Sequence, residues 1–435
     1  MKIVSLALCA GSMLPVNAWA YARVDGPVIA GVPMDFILFA AILIGVALFH
    51  EHTLEVALGG LATLLTYNWL VTGFKHAAGV AGFLAHMEHE WVILANLFCL
   101  LLGFALLADH FERSHLPDLI PRILPAGWPG GFVLLLLIFL LSSFLDNIAA
   151  AIIGATVAWI VFGQRVHPGY IAAIVAASNA GGAGSVVGDT TTTMMWIAGA
   201  NPLDIFRAYA AALAAVVVFG IPAAMQQAGH APLIVCSETE HNYDKVRIGI
   251  VFFILTAAIA TNITANLLLT EVADAFPFIG VAIWTALLLS APLRQPNWQL
   301  LPETAKGSLF LLALVTCASL MPVEKLPPAS WQTTLSMGFV SAVFDNIPLT
   351  ALAIKQGGYD WGMLAYAVGF GGSMVWFGSS SGVAVANFIP GAKSVFLWVR
   401  HGWHIPLGYL AGFFVFYTLM GWHPSPLYVG AGWPR

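Results

Sequence analysis

GFVLLLLIFLLSSFL (131–145), then Asp146-Asn147, then IAAAIIGATVAWIVF (148–162): two apolar runs of fifteen residues are interrupted by one polar pair. As a helix each arm would be about 22 Å long, too short for a hydrocarbon layer of ~30 Å, while the whole is too long for one span. A helical hairpin that dips into a bilayer and returns fits both lengths. The design recurs as WQTTLSMGFVSAVF (331–344), Asp345-Asn346 and IPLTALAIKQ (347–356). Pro348, just beyond the second pair, suits the first turn of a new helix.

A glycine-interrupted segment follows each hairpin. Residues 170–200 contain Asn179-Ala-Gly-Gly-Ala-Gly-Ser185 and then Gly188-Asp189-Thr190-Thr191-Thr192-Thr193. Residues 361–389 contain Gly371-Gly372 and then Gly378-Ser379-Ser380-Ser381-Gly382. Aligning Gly181-Gly182 with Gly371-Gly372 places Gly188-Asp189 on Gly378-Ser379. Ser142-x-x-x-Asp146-Asn147-Ile148 likewise falls on Ser341-x-x-x-Asp345-Asn346-Ile347. Two matched motifs in the same order indicate an internal repeat.

The rest of the chain agrees with a membrane setting. Of the 435 residues, 60% are hydrophobic and only 9% are charged, against about 25% charged in soluble domains. Further spans are expected near residues 34–50, 54–74, 91–109, 205–225, 248–269, 278–293, 308–321 and 405–422. A formal net charge of −5, spread along the chain, leaves no basic face for nucleic acid. Four scattered cysteines form neither a disulfide framework nor a zinc spacing. Lys2, the apolar residues 3–14 and Ala18-Trp19-Ala20 read as a signal peptide over residues 1–20. The rival reading of that stretch is an uncleaved first helix.

With Tyr21 outside, the cytoplasmic connections hold nine Lys or Arg and the opposite ones six, the bias positive-inside requires. The first hairpin (131–162) then enters from the cytoplasm and the second (331–356) from outside. The expected architecture is an all-α membrane protein of about ten or eleven transmembrane helices in two inverted repeats, 21–228 and 246–435. Each repeat carries a re-entrant hairpin and a broken helix.

Inverted repeats with helices broken near the midplane are a common way to build a transport site. Unwound backbone and hydroxyls supply oxygen, which suits hard cations. Asp146, Asp345 and Asp189 lie in this zone, and a carboxylate deep in a bilayer by default marks an ion or proton path. Asp146 and Asp345 follow the end of an arm, the negative pole of a helix, which welcomes a cation or a proton. The alternative is that each Asp caps the second arm through backbone N–H groups; for Asp189 the cap is the preferred reading. Asn147 and Asn346 supply amide oxygens or hold the turns. Asn179, Ser185, Thr190, Ser379, Ser380 and Ser381 are candidate lining groups. His50-Glu51-His52 and His86-x-Glu88-His89-Glu90 sit at expected segment ends, where titratable side chains meet water.

The motifs around Asp146-Asn147, Asn179–Ser185, Gly188–Trp196, Asp345-Asn346-Ile-Pro348 and Gly371–Ser380 resemble the NhaD-type sodium/proton antiporters of the ion transporter superfamily. The resemblance implies a bacterial inner-membrane exchanger of Na⁺ or Li⁺ for protons. It is a transporter rather than an enzyme, needs no cofactor, and is often a homodimer. Asp146 and Asp345 are then the coupling carboxylates. One departure stands out: such sequences usually place hydroxyl residues just after the first Asp-Asn, where this chain has Ile148-Ala149-Ala150. The superfamily also holds carboxylate and oxyanion carriers, the rival expectation. An anion site calls for donors and helix N-termini, whereas both tips here carry Asp with no Arg or Lys beside them.

Overall fold

Residues 169–183 and 361–371 are buried without exception, and the fold is built outward from the two helices that contain them. The computed structural model describes residues 25–49, 52–74, 79–234, 243–268, 272, 275–389 and 392–427. The expected signal segment and most of the His50-Glu51-His52 cluster lie outside the described residues.

A two-stranded ribbon, β1 (Val28–Ile29) and β2 (Val32–Pro33), leads into α1 (Met34–Leu48). Next come α2 (Thr53–Tyr67, extended by a π-helical turn Asn68–Thr72), α3 (Gly79–Glu112) and the short α4 (Ile120–Ile123). The first hairpin pair is α5 (Trp128–Ser142) and α6 (Asn147–Val161), and the first broken helix is α7 (Pro168–Ala183) followed by α8 (Thr190–Ile197). The short α9 (Pro202–Phe206) then turns into α10 (Ala208–His230). The second half runs through α11 (Lys245–Leu268), α12 (Phe278–Ser290) and α13 (Leu301–Ser319). Its hairpin pair is α14 (Trp331–Ser341) and α15 (Asn346–Gln356), and its broken helix is α16 (Trp361–Gly371) followed by α17 (Ser380–Phe388). The chain closes with α18 (Val395–His401) and α19 (His404–Met420).

The chain is a multi-pass membrane protein by helix length and composition. Among the described residues five helical segments are long and apolar enough to cross, or six when the bent pair α18–α19 counts as one. That is fewer than ten or eleven because α1, α12, the hairpin arms and the halves of the broken helices are each too short to pass alone. The apolar runs flanking each Asp-Asn pair are helices, α5 and α6 in the first half and α14 and α15 in the second. The 91–109 span was read too short: α3 extends from 79 to 112.

Small residues let the central helices approach. A Cβ on Gly181 would overlap the Phe139 carbonyl, and a Cβ on Gly371 would overlap the Gly338 carbonyl, so each broken helix presses on the first arm of its own hairpin. Tyr170 Oη donates to the Gly131 carbonyl at 2.6 Å and Tyr409 Oη to the Leu335 carbonyl at 2.8 Å, pinning both first arms. Across the halves, α6 packs on α17, α15 on α8, and α7 on α16.

Candidate ion-binding site

The breaks in α7–α8 and α16–α17 free backbone carbonyls in a place water barely reaches, so side chains must satisfy them. The threonine run does this locally. Thr192 Oγ1 donates to the Ser185 and Asp189 carbonyls, and Thr193 Oγ1 to those of Val186 (2.9 Å) and Asp189 (3.0 Å). Threonine back-bonding of this sort accounts for two of the four hydroxyls in sequence where the helix starts.

Each of the three carboxylates caps a helix. Asp146 Oδ2 accepts from Ile148 N at 3.1 Å, Asp345 Oδ1 from Ile347 N at 3.0 Å, and Asp189 Oδ1 from Thr191 N at 3.0 Å. A cap of this kind is worth about 0.5–2 kcal/mol, and it occupies only one oxygen per side chain. The remaining oxygens differ. Asp345 Oδ2 accepts from Ser380 Oγ at 3.3 Å. Asp189 Oδ2 is buried beside the equally buried Thr191 hydroxyl.

Asn179, fully buried on α7, is the hub between the halves. Its Oδ1 accepts from Asn147 Nδ2 at 3.1 Å and from Ser381 Oγ at 2.7 Å. Its Nδ2 donates to Ser373 Oγ at 2.9 Å and Ser379 Oγ at 3.1 Å. Both tips are tied to the broken helices as well: Ser143 Oγ donates to the Gly181 carbonyl and Ser341 Oγ to that of Val368.

A cavity of about 490 Å³ runs to this cluster from the C-terminal end of α3 and the start of α13. Asp109, Glu112, Thr304 and Ser308 line its outer part. Asp146, Asn147, Asp189, Thr190, Asn346 and Ser380 line its inner part, and among the described residues no Lys or Arg lines it. A half-open, largely apolar cavity with four carboxylates in its wall attracts positive charge; among the described residues only Asp109 is already paired, to Arg113 at 3.0 Å.

No family model matches the chain. Individual proteins do. It is 26% identical to Sodium/proton antiporter 1 of Arabidopsis thaliana over 68% of this chain and 54% of that one. The chain thus spans about half the length of that relative. It is 27% identical to the Na(+)/H(+) antiporter NhaD of Alkalimonas amylolytica over 65% of this chain and 67% of the relative. With the Na(+)/H(+) antiporter NhaD of Vibrio parahaemolyticus it shares 25% over 78% of this chain and 94% of the relative. The likeness is to the NhaD-type sodium/proton antiporters.

The residues that carried the NhaD-type resemblance fall into three groups. Asp146, Asn147, Asp189, Thr190, Asn346 and Ser380 face the cavity. Asn179 and Asp345 stand one hydrogen bond behind it, and Ser379, bonded to Asn179, stands two. Ser185 is not part of the cluster: its carbonyl takes the Thr192 hydroxyl and its own Oγ accepts from Val187 N, so it holds the break itself. Ser373 and Thr191 were passed over in the sequence although both stand inside the quoted motifs. Asp109 and Glu112 carried no signal, since two acids at a helix end read as solvated.

The His86–Glu90 cluster is placed differently from expectation. Glu88 and His89 are exposed as expected, but His86 and Glu90 are buried within α3 rather than solvated at a segment end. His86 Nε2 lies 2.9 Å from Ser319 Oγ, and Glu90 pairs with Lys355. The cause is the greater length of α3, which puts these side chains against α13 and α15.

Proposed function

We propose that this protein exchanges Na⁺ or Li⁺ for protons across a bacterial inner membrane by alternating access. In this reading its two halves are inverted repeats, and α5–α6 and α14–α15 are re-entrant hairpins entering from opposite faces. The single observation that carries it is the acidic cavity ending on Asp146 and Asp189 with no Lys or Arg in its wall.

The chemistry follows from how the carboxylates are held. Asp146 and Asp345 each spend one oxygen on a helix cap, and the second, which at Asp345 also takes the Ser380 hydroxyl at 3.3 Å, is the one that would take part in exchange. A proton and an alkali cation compete for that position, since both need the negative charge. Loading the cation therefore expels the proton, and protonation on the other side expels the cation. The Asn179 hub links both broken helices and the first tip, so loading in one half reaches the other. The carboxylate or oxyanion carrier draws no comparable support, because an anion would enter a cavity lined by four carboxylates. The names of the similar proteins point the same way.

The test is cation-dependent dissipation of a preformed pH gradient in proteoliposomes, comparing Na⁺, Li⁺, K⁺ and citrate. Collapse with Na⁺ or Li⁺ and none with citrate is expected. A response to citrate alone would replace the cation reading with the anion carrier.

A further inference from the structure

A path that opens to alternate faces must be shut at one end while it stands open at the other. The cavity is the open end. One of its walls is α3 and α13, through Phe104 and Leu311, and the other is made by the hairpin and broken-helix elements, through Asp146, Asp189 and Asn346. Its mouth lies at Asp109 and Glu112. The same seam continues past the blind end of the cavity, and there it is closed. α15 begins at that blind end with Asn346 and Ile347, then runs along α13 for 11 residues, about 16 Å. Ile347, Ala351 and Leu352 share one apolar cluster there with Leu314 and Ala318 of α13. In the last turn of α15, Lys355 Nζ donates to Glu90 Oε1 of α3, and the two side chains are 13% and 5% exposed. The chain is exposed again at Gly358. The pair thus closes the far end of the seam whose near end is the mouth.

Stability alone is a poor reason for two full charges at this place. A buried ion pair contributes little net over apolar side chains of the same volume. It does lower the cost of parting the seam. On separation each ion recovers its water, whereas an apolar seam would expose hydrophobic surface that draws it shut again. We infer that Glu90 and Lys355 are the far gate of the transport path. They form a charged clasp that holds this end shut while the mouth at Asp109 is open, and that parts into water when the mouth closes. Ile347, Ala351 and Leu352 then become the wall of the opened path. The inference rests on the exchange reading only for what passes the gate.

The experiment uses the full-length protein in proteoliposomes with two double variants, Glu90→Leu with Lys355→Met and Glu90→Gln with Lys355→Gln. Thermal melts and Na⁺- or Li⁺-dependent exchange are the readouts. Both variants remove the charges, but only the first makes the seam apolar. The Leu/Met variant should melt near the wild-type Tm yet lose at least about tenfold of the exchange, and the Gln/Gln variant should exchange nearly as wild type does. Wild-type exchange in a folded Leu/Met variant overturns the gate. A second measurement leaves the pair untouched and decides alone if the Leu/Met variant does not fold. Leu352→Cys, with the four native cysteines replaced by alanine, places a thiol that is buried in the shut seam. It should react with an impermeant thiol reagent from the face opposite the mouth while the protein turns over. Reaction from neither face, or from the mouth alone, in a protein that exchanges normally overturns the gate and leaves the exchange reading intact. Labelling from the far face in a protein that exchanges neither Na⁺ nor Li⁺ for protons keeps the gate and removes the exchange reading.

Discussion

Lys355 Nζ donates to Glu90 Oε1, joining the last turn of α15 to α3 with both side chains largely withdrawn from solvent. Breaking a buried pair from one side leaves a stranded charge, at about 3–5 kcal/mol, whereas replacing both partners by apolar groups is often neutral. Glu90→Leu and Lys355→Met should each lower the Tm clearly, and the double variant should recover most of the loss. Additive losses in thermal melts would show that the two side chains act independently.

The inverted arrangement makes a topological claim. Arg165 follows the first hairpin and Glu324 precedes the second, and both are exposed. Cysteines placed at these two positions should react with an impermeant thiol reagent from opposite faces of the membrane. Labelling from one face would make the repeats parallel.

Asn keeps capping ability and nearly the shape of Asp while losing the charge. Asp146→Asn and Asp345→Asn should therefore insert and melt like wild type but exchange at least about tenfold more slowly, a barrier change of ~1.4 kcal/mol. If both variants exchange normally and only Asp→Ala lowers the Tm, the carboxylates are caps and nothing more.

Ala149 lines the cavity three residues beyond the Asp146 cap. Ala149→Thr restores a hydroxyl near the first tip, and the apparent Na⁺ affinity in the vesicle assay should rise. An unchanged Na⁺ dependence would turn Ala149 away from the ion.

His167, in the connection ahead of α7, accepts from Gly169 N through Nδ1 at 3.2 Å, with the His401 and His230 rings 4.9 and 5.4 Å away. Burial first, then the two neighbouring imidazoles, pull its pKa from 6.5 to about 4. The folded state thus holds fewer protons than the unfolded chain between these values, and stability falls as pH drops from about 6.5 to about 4. His167→Asn keeps an acceptor at the cap and removes the titration. Its Tm should vary less over that window, and a wild-type pH profile in the variant would assign the loss elsewhere.

The decisive local features were legible because they break a pattern. Asp146-Asn147 and Asp345-Asn346 interrupt long apolar runs, and Gly181-Gly182 and Gly371-Gly372 admit backbone where a Cβ would collide. The Asn179 hub was half visible: the residue stood out, but its partners Ser373 and Ser381 lie some two hundred positions away and meet it only through packing of the halves. Glu90 and Lys355 misled for a related reason, since charge near the end of an apolar run reads as solvated until a second element covers it. Asp109 and Glu112 were invisible because nothing in their own segment records that a cavity ends on them.

The 34 unbroken residues of α3 carry one more consequence. At 1.5 Å per residue the helix is about 51 Å long, well beyond the ~30 Å hydrocarbon layer. One end grips the second hairpin through Glu90 and the other borders the cavity mouth with Asp109 and Glu112. The two ends are therefore phased like marks on a single axle. A one-residue insertion between Glu90 and Asp109 would turn one set about 100° against the other, so the helix fixes not only how far apart the hairpin grip and the mouth stand but the angle at which they face each other.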